Sequence, residues 1–239
     1  MNILNEIIKN KKQELKKNKS NKERFKKIFS KKNANIIGEI KLKSPTKYEI
    51  IADENKLETI YNFYGKNKNI KAISILIDKI FFNGDIKRGQ IIKQRYNKPI
   101  FLKEFVIEEK QIDGASYYGY DALLLLKRVL KTDLLTNLIK YSLCKNIFPI
   151  VEVDNEKDLK EIIELSQKLE LGIAINSRNL GNMQIDINSH FTLYNKYKDQ
   201  LANKIIFAFS GINNLDDIKK YKNKYNGVLI GTYFMKNIE

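Results

Sequence analysis

The stretch PIVEVDNEKDLKEIIEL, residues 149–165, contains one strand-and-helix unit of this chain. Its first part, Pro149–Val153, is nearly continuous in apolar and β-branched residues, the composition of a parallel strand buried on both faces. A proline opening such a run is tolerated, because the first residue of a strand can lack a donor. In the second part Leu159, Ile162, Ile163 and Leu165 fall on one side of a helix, with lysines and glutamates between them. A buried strand followed by an amphipathic helix is the repeat of parallel α/β folds.

Outward from this unit the alternation recurs. Apolar runs stand at Ile36–Lys41, Ala72–Ile77, Pro99–Lys103, Asp121–Leu126, Pro149–Val153, Leu171–Asn176, Lys204–Ser210 and Gly227–Gly231. The spacers are long enough for crossover helices. Leu57, Ile60, Tyr61 and Tyr64 form another helical stripe, whereas Asp216 to Tyr225 is shorter and weaker. Eight such units in 239 residues predict a closed (β/α)8 TIM barrel, α/β in class, forming a single domain over 1–239 with the barrel at 36–239. An open doubly wound sheet is the competing architecture. No G-x-G-x-x-G follows the first run, however, and no P-loop occurs.

Residues 1–35 predict an extra N-terminal helical segment. Ile3, Leu4, Ile7, Ile8 and Leu15 suit one face of a helix, and Phe25, Ile28 and Phe29 give a second short stripe. Such a segment either closes the barrel bottom or caps its mouth, and the pattern fits both. Thr232–Glu239 follow the eighth run, which predicts a truncated last helix.

Composition removes several kinds of chemistry. Cys144 and His190 are the single cysteine and histidine, so an intramolecular disulfide and a cysteine metal cluster are excluded. No nucleophile elbow accompanies His190 that would suggest a serine triad. A metal site would have to be built almost entirely from carboxylates, and no clustered spacing suggests one, so no metal is expected. The 44 basic against 28 acidic residues give a formal charge of +16. That excess suits nucleic-acid binding, or a lysine-rich surface on an enzyme of an anionic substrate. Lysine, asparagine and isoleucine abound together along the whole chain, which favours the second reading, and a basic surface would steer a phosphorylated substrate. No run approaches the ~18 apolar residues of a membrane span. The N-terminus passes into lysines with no small-residue cleavage site. The expectations are a cytoplasmic chain, monomeric or weakly dimeric, with a small phosphorylated ligand and neither membrane nor nucleic-acid partners.

The most informative polar residues sit at or near the C-terminal ends of the runs: Glu39 and Lys41, Lys103 with Glu104, Glu152 with Asp154, Asn176 with Arg178, and Ser210. In an eight-fold barrel these ends converge on the face where active sites are built. Side chains two apart on a strand share a face. Glu39 therefore points with Lys41, Phe101 with Lys103, Ile150 with Glu152, and Ala174 with Asn176. Each charge alone could be a structural ion pair, but gathering several in one mouth costs several kcal/mol per ion unless well paired. A lysine and a glutamate placed there make an acid–base pair. Ser210-Gly211 and Gly231-Thr232 follow the last two runs, where barrel enzymes often grip phosphate. Strand-to-helix turns also use glycine for geometry alone.

These residues lie in segments that resemble indole-3-glycerol phosphate synthases. IIGEIKLKSPT at 36–46 resembles that family's E-x-K-x-x-S-P-S signature. AISILID at 72–78 with FFNG at 81–84, FLKEFVI at 101–107, QI at 111–112 with GYDALLLL at 119–126, VEVD at 151–154, INSRNL at 175–180, SGI at 210–212 and GVLIGT at 227–232 follow in order. The opening ILNEIIKNKK at 3–12 is also similar to the family's start.

The resemblance implies conversion of 1-(o-carboxyphenylamino)-1-deoxyribulose 5-phosphate to indole-3-glycerol phosphate, with loss of carbon dioxide and water and without a cofactor. It implies Lys103 as the general acid on the substrate carbonyl, Glu152 in proton transfer, and Lys41 as a second lysine on an anionic group. Glu39 would orient the lysines and Asn176 would hydrogen-bond the substrate. Arg178 and Ser44 would hold its carboxylate. Ser210, Gly211, Gly231 and Thr232 would take the phosphate. Some positions depart from the family pattern. Phe209 stands where a glutamate is usual, placing a ring beside the substrate site, which allows a weakly active or repurposed barrel. Tyr48 replaces a glycine, and Asp85 replaces a serine.

Overall fold

The computed structural model describes residues 3–44, 49, 50, 52, 54–179, 181 and 183–238; the side chains at 10–20, 44, 49 and 50 lie outside that description. Eight parallel strands close into a barrel: β1 (Asn35–Ile40), β2 (Ile70–Leu76), β3 (Ile100–Lys103), β4 (Ala122–Leu126), β5 (Phe148–Val153), β6 (Gly172–Asn176), β7 (Ile205–Phe209) and β8 (Gly227–Ile230). β1 closes the ring by pairing with β8, from Asn35 opposite Gly227 to Gly38 opposite Ile230, and with β2 on its other side. Each strand lies within two residues of its sequence expectation, because a strand buried on both faces is apolar along its whole length.

The helices are α1 (Ile3–Ile28), α2 (Leu57–Lys66), α3 (Lys79–Phe82), α4 (Lys87–Tyr96), α5 (Glu109–Tyr117), α6 (Thr132–Cys144), α7 (Glu156–Lys168), α8 (Asn188–Tyr197) and α9 (Thr232–Lys236). The weak Asp216–Tyr225 pattern yields a 3-10 helix over Asp216–Tyr221, and the last helix is five residues long. α7 shows why the sequence stops and starts where it does. The side chain of Asn155 accepts from the Asp158 backbone N–H at 2.9 Å, capping the helix, while Leu159, Ile162 and Ile163 are buried against the barrel.

Two shells of core follow from strand parity. The outer shell lies between strands and helices and includes Ile73, Ile75, Leu123, Leu125, Val151, Ile173, Ile175, Ile206 and Val228. The inner shell fills the barrel: Ile37, Ala72, Phe101, Ala122, Leu124, Leu126, Phe148, Ile150, Ala174, Phe207, Phe209 and Leu229. Phe25 and Phe29 of the N-terminal segment belong to this inner shell. The Phe25 ring lies 6.0 Å from Phe148 and 6.3 Å from Phe207, and Phe29 lies 5.2 Å from Phe207.

That packing decides the place of the N-terminal segment. Lys22 donates to Glu170 at 2.6 Å, just before β6 starts, and Arg24 donates to the Asn97 carbonyl, just before β3. Asn21 to Phe29 therefore closes the barrel at the N-terminal ends of its strands, opposite the mouth. The stripe Ile3, Leu4, Ile7 and Ile8 is exposed rather than buried, and it runs into the same helix as Phe25 instead of forming a separate one. Among the described residues no helix is long and apolar enough to cross a membrane.

Candidate active site

Continuing the inner-face register past the apolar layers brings Glu39, Lys41, Lys103, Glu152 and Asn176 to the C-terminal rim. All five line one cavity of about 430 Å³, within the usual size for a small-molecule site. Arg178, Phe209, Ser210, Gly211, Gly231 and Thr232 line it as well. Pro45, Thr46, Tyr48 and Leu180 lie outside the described residues, as does the side chain of Ser44. The cavity gathers Lys41, Lys103, Arg128 and Arg178 with Glu39, Asp78, Glu104 and Glu152, equal numbers of bases and acids. Among the described residues, therefore, the basic excess of the chain sits elsewhere than in this mouth.

Glu152, on β5, is buried. Its Oε1 accepts from Asn176 Nδ2 at 2.8 Å, and its Oε2 faces Lys103 Nζ at 3.7 Å, too long for a hydrogen bond. Oε2 has no hydrogen-bond partner among the described residues. Asn176 is oriented in turn by the Arg178 backbone N–H, which donates to Asn176 Oδ1 at 2.9 Å. The amide can then offer only its NH2 side to Glu152. β6 thus fixes a carboxylate on β5, which faces a lysine on β3.

Glu39 is held by its backbone. Tyr64 of α2 donates its hydroxyl to the Glu39 carbonyl at 2.8 Å, and Lys41 Nζ stands 4.0 Å from Glu39 Oε2. At the end of the neighbouring strand β8, a Cβ on Gly231 would lie 2.7 Å from Glu39 Oε2. Glycine there makes room for the carboxylate, which adds to its expected place in a phosphate grip. Gly211 has φ +75, and a Cβ would meet Ser177 Oγ at 2.8 Å, so both conformation and space require glycine.

Phe209 is 1% exposed. Its ring packs 5.9 Å from Phe101 and 6.2 Å from Phe207, and Lys103 Nζ stands 5.9 Å from its centroid. It forms the floor of the cavity beneath Lys103 and also belongs to the inner core. A ring here supports the lysine by a cation–π contact where a carboxylate would pair with it.

Other lining residues were not singled out from sequence. Arg128 follows β4 and pairs with Asp154 at 2.8 Å, which gives Asp154 a structural partner at the rim. The Lys127-Arg128 pair directly after the LLLL run was the available signal, the same end-of-strand position that marked Lys103 and Asn176. Glu104, which the sequence did mark beside Lys103 at the end of its run, lines the cavity as well, and burial pushes its carboxyl up. Phe82, at the end of the four-residue α3, and Phe105, Met183 and Ile185 from the loops add apolar walls; no periodic pattern marks such short or irregular segments.

The family model for indole-3-glycerol phosphate synthase matches residues 3–239. The chain belongs to the indole-3-glycerol phosphate synthase family. Among its relatives, the indole-3-glycerol phosphate synthase of Clostridium acetobutylicum is 37% identical over 91% of this chain and 80% of its own length. The tryptophan biosynthesis protein TrpCF of Buchnera aphidicola from Schizaphis graminum is 36% identical over 98% of this chain. The chain spans 52% of the length of that relative. Among solved structures, a tryptophan synthase alpha-subunit from Pyrococcus furiosus superposes with a TM-score of 0.63 at 12% identity, covering 85% of this chain and 89% of that one, a likeness of fold. This synthase-family chain thus carries its charged rim on a TIM barrel.

Proposed function

We propose that the mouth converts 1-(o-carboxyphenylamino)-1-deoxyribulose 5-phosphate to indole-3-glycerol phosphate, carbon dioxide and water, making the chain a decarboxylating carbon–carbon lyase of tryptophan biosynthesis. The observation that carries this reading is the linked set Lys103, Glu152 and Asn176, drawn from three strands onto one rim.

Lys103 donates a proton to the substrate carbonyl, so that the electron-rich ring carbon attacks it and the new carbon–carbon bond forms. The carboxylate on that ring carbon then leaves as carbon dioxide, returning its bonding pair to the ring. Loss of the hydroxyl as water, with removal of a ring-side proton, completes the indole. Glu152 takes and returns protons, and Asn176 holds it in place. Lys41, kept at the rim by Glu39, meets an anionic group of the substrate, and Arg178 with Ser44 holds the carboxylate. Ser210, Gly211, Gly231 and Thr232 take the phosphate largely through backbone N–H groups. Thr232 opens α9, so its N–H has no partner within the helix.

The test is turnover of that substrate by the isolated chain without added metal, followed by indole fluorescence. Lys103→Ala is expected to lower turnover by ~100-fold or more, the usual contribution of a placed acid. A near-normal rate removes Lys103 from the chemistry, and no turnover by the unaltered chain overturns the reading.

A further inference from the structure

His190 is not among the described residues that line the cavity. It lies in the first turn of α8 and is 0% exposed. Its Nε2 stands 2.9 Å from the Phe209 carbonyl oxygen and its Nδ1 3.0 Å from the Tyr221 hydroxyl. A carbonyl can only accept, so Nε2 carries the proton. Nδ1 then accepts from Tyr221, whose hydroxyl burial keeps protonated by raising its pKa to about 12. The backbone of the same histidine is pinned too, since Tyr225 donates its hydroxyl to the His190 carbonyl at 2.7 Å.

The two ring contacts fall at opposite ends of one connection. Phe209 is the last residue of β7, and Tyr221 ends the 3-10 helix that follows. Between them run Ser210 and Gly211, both left-handed, with φ 66 and φ 75. A left-handed serine costs on the order of 1 kcal/mol and persists only where its surroundings impose it. The constraint here is visible. The Phe209 carbonyl, which sets the direction of the chain into the turn, accepts from His190 Nε2 and also from the Ser177 N–H at 3.1 Å. The turn so fixed opens the stretch of the connection, Ser210 to Asn213, that lines the cavity.

We infer that His190 is a positioning residue for anion binding: by tying the Phe209 carbonyl to the Tyr221 hydroxyl, one neutral imidazole sets the Ser210–Gly211 turn on which the substrate phosphate rests. The inference depends on the phosphate reading of that turn.

The experiment measures KM and kcat for the phosphorylated substrate, and the affinity of inorganic phosphate by calorimetry, in the unaltered chain, His190→Leu, His190→Gln and Tyr221→Phe. His190→Leu is expected to raise KM and weaken phosphate binding together by about tenfold, the equivalent of one lost hydrogen bond. kcat should change by less than about threefold, since the chemical groups stay in place. His190→Gln, whose amide offers both a donor and an acceptor, should recover most of the loss. Tyr221→Phe keeps the ring and its packing, and should shift both affinities in the same direction; it carries the test if His190→Leu does not fold. Folded variants with unchanged KM and phosphate affinity, or with kcat and KM altered alike, overturn the inference. Failure of the unaltered chain to bind phosphate overturns instead the phosphate reading on which it stands.

Discussion

At the scale of single residues the barrel separates polar groups by how they are buried. Glu152 and Asn176 face the cavity. His190 lies behind the strands, where burial lowers its pKa from 6.5 to about 4 against weaker opposing contributions from the Phe209 and Ile175 backbone and from Asp186. The folded pKa is below the unfolded one, so the fold favours the neutral ring. The stability this supplies is complete above pH 6.5 and declines as pH falls towards about 4, by roughly 3 kcal/mol in all. Urea unfolding of the unaltered chain and of His190→Leu across that window should show the first losing more stability than the second. Parallel curves would mean that another group dominates the acid transition.

At the scale of elements, the N-terminal helix does the work of a plug. Phe25 is 0% exposed and touches rings from β3, β5 and β7, so a single side chain ties three strands together at the bottom. Phe25→Ala is expected to cost about 3–5 kcal/mol in chemical denaturation, the range for removing a buried aromatic, with KM of the folded protein unchanged. A cost under about 1 kcal/mol would show that the helix end is not a structural closure.

At the scale of the whole molecule, stability and chemistry occupy opposite faces. The bottom carries its own buried ion pair: Lys93 donates to both oxygens of Asp121 at 3.0 Å, and the Ile100 N–H donates to Asp121 Oδ2 at 2.8 Å. Asp121 is 0% exposed, so Lys93→Ala leaves a buried carboxylate without its cation, at a cost of about 3–5 kcal/mol. Turnover per folded molecule should stay normal, because the pair lies at the strand starts and the cavity at the strand ends. A large fall in kcat without loss of stability would contradict that separation.

The sequence by itself determined the eight strands of the barrel, their bounds to within two residues, and most of the polar residues that end them, though not Arg128 or the short pairing of Lys43–Ser44 with Glu49–Ile50. Those signals are local: a parallel strand must be apolar throughout, and the period of two assigns each side chain to one shell. Lys41, Lys103, Glu152 and Asn176 were legible because they continue an inner face already marked by Phe101, Ile150 and Ala174. Tertiary structure alone decided that Phe25 and Phe29 close the bottom, that Phe209 is floor as much as lining, that Arg128 pairs with Asp154, and that His190 reaches the carbonyl of Phe209. Each of these depends on contacts between residues 19 or more apart in the chain, and no periodicity along the chain encodes which distant groups a closed barrel will press together.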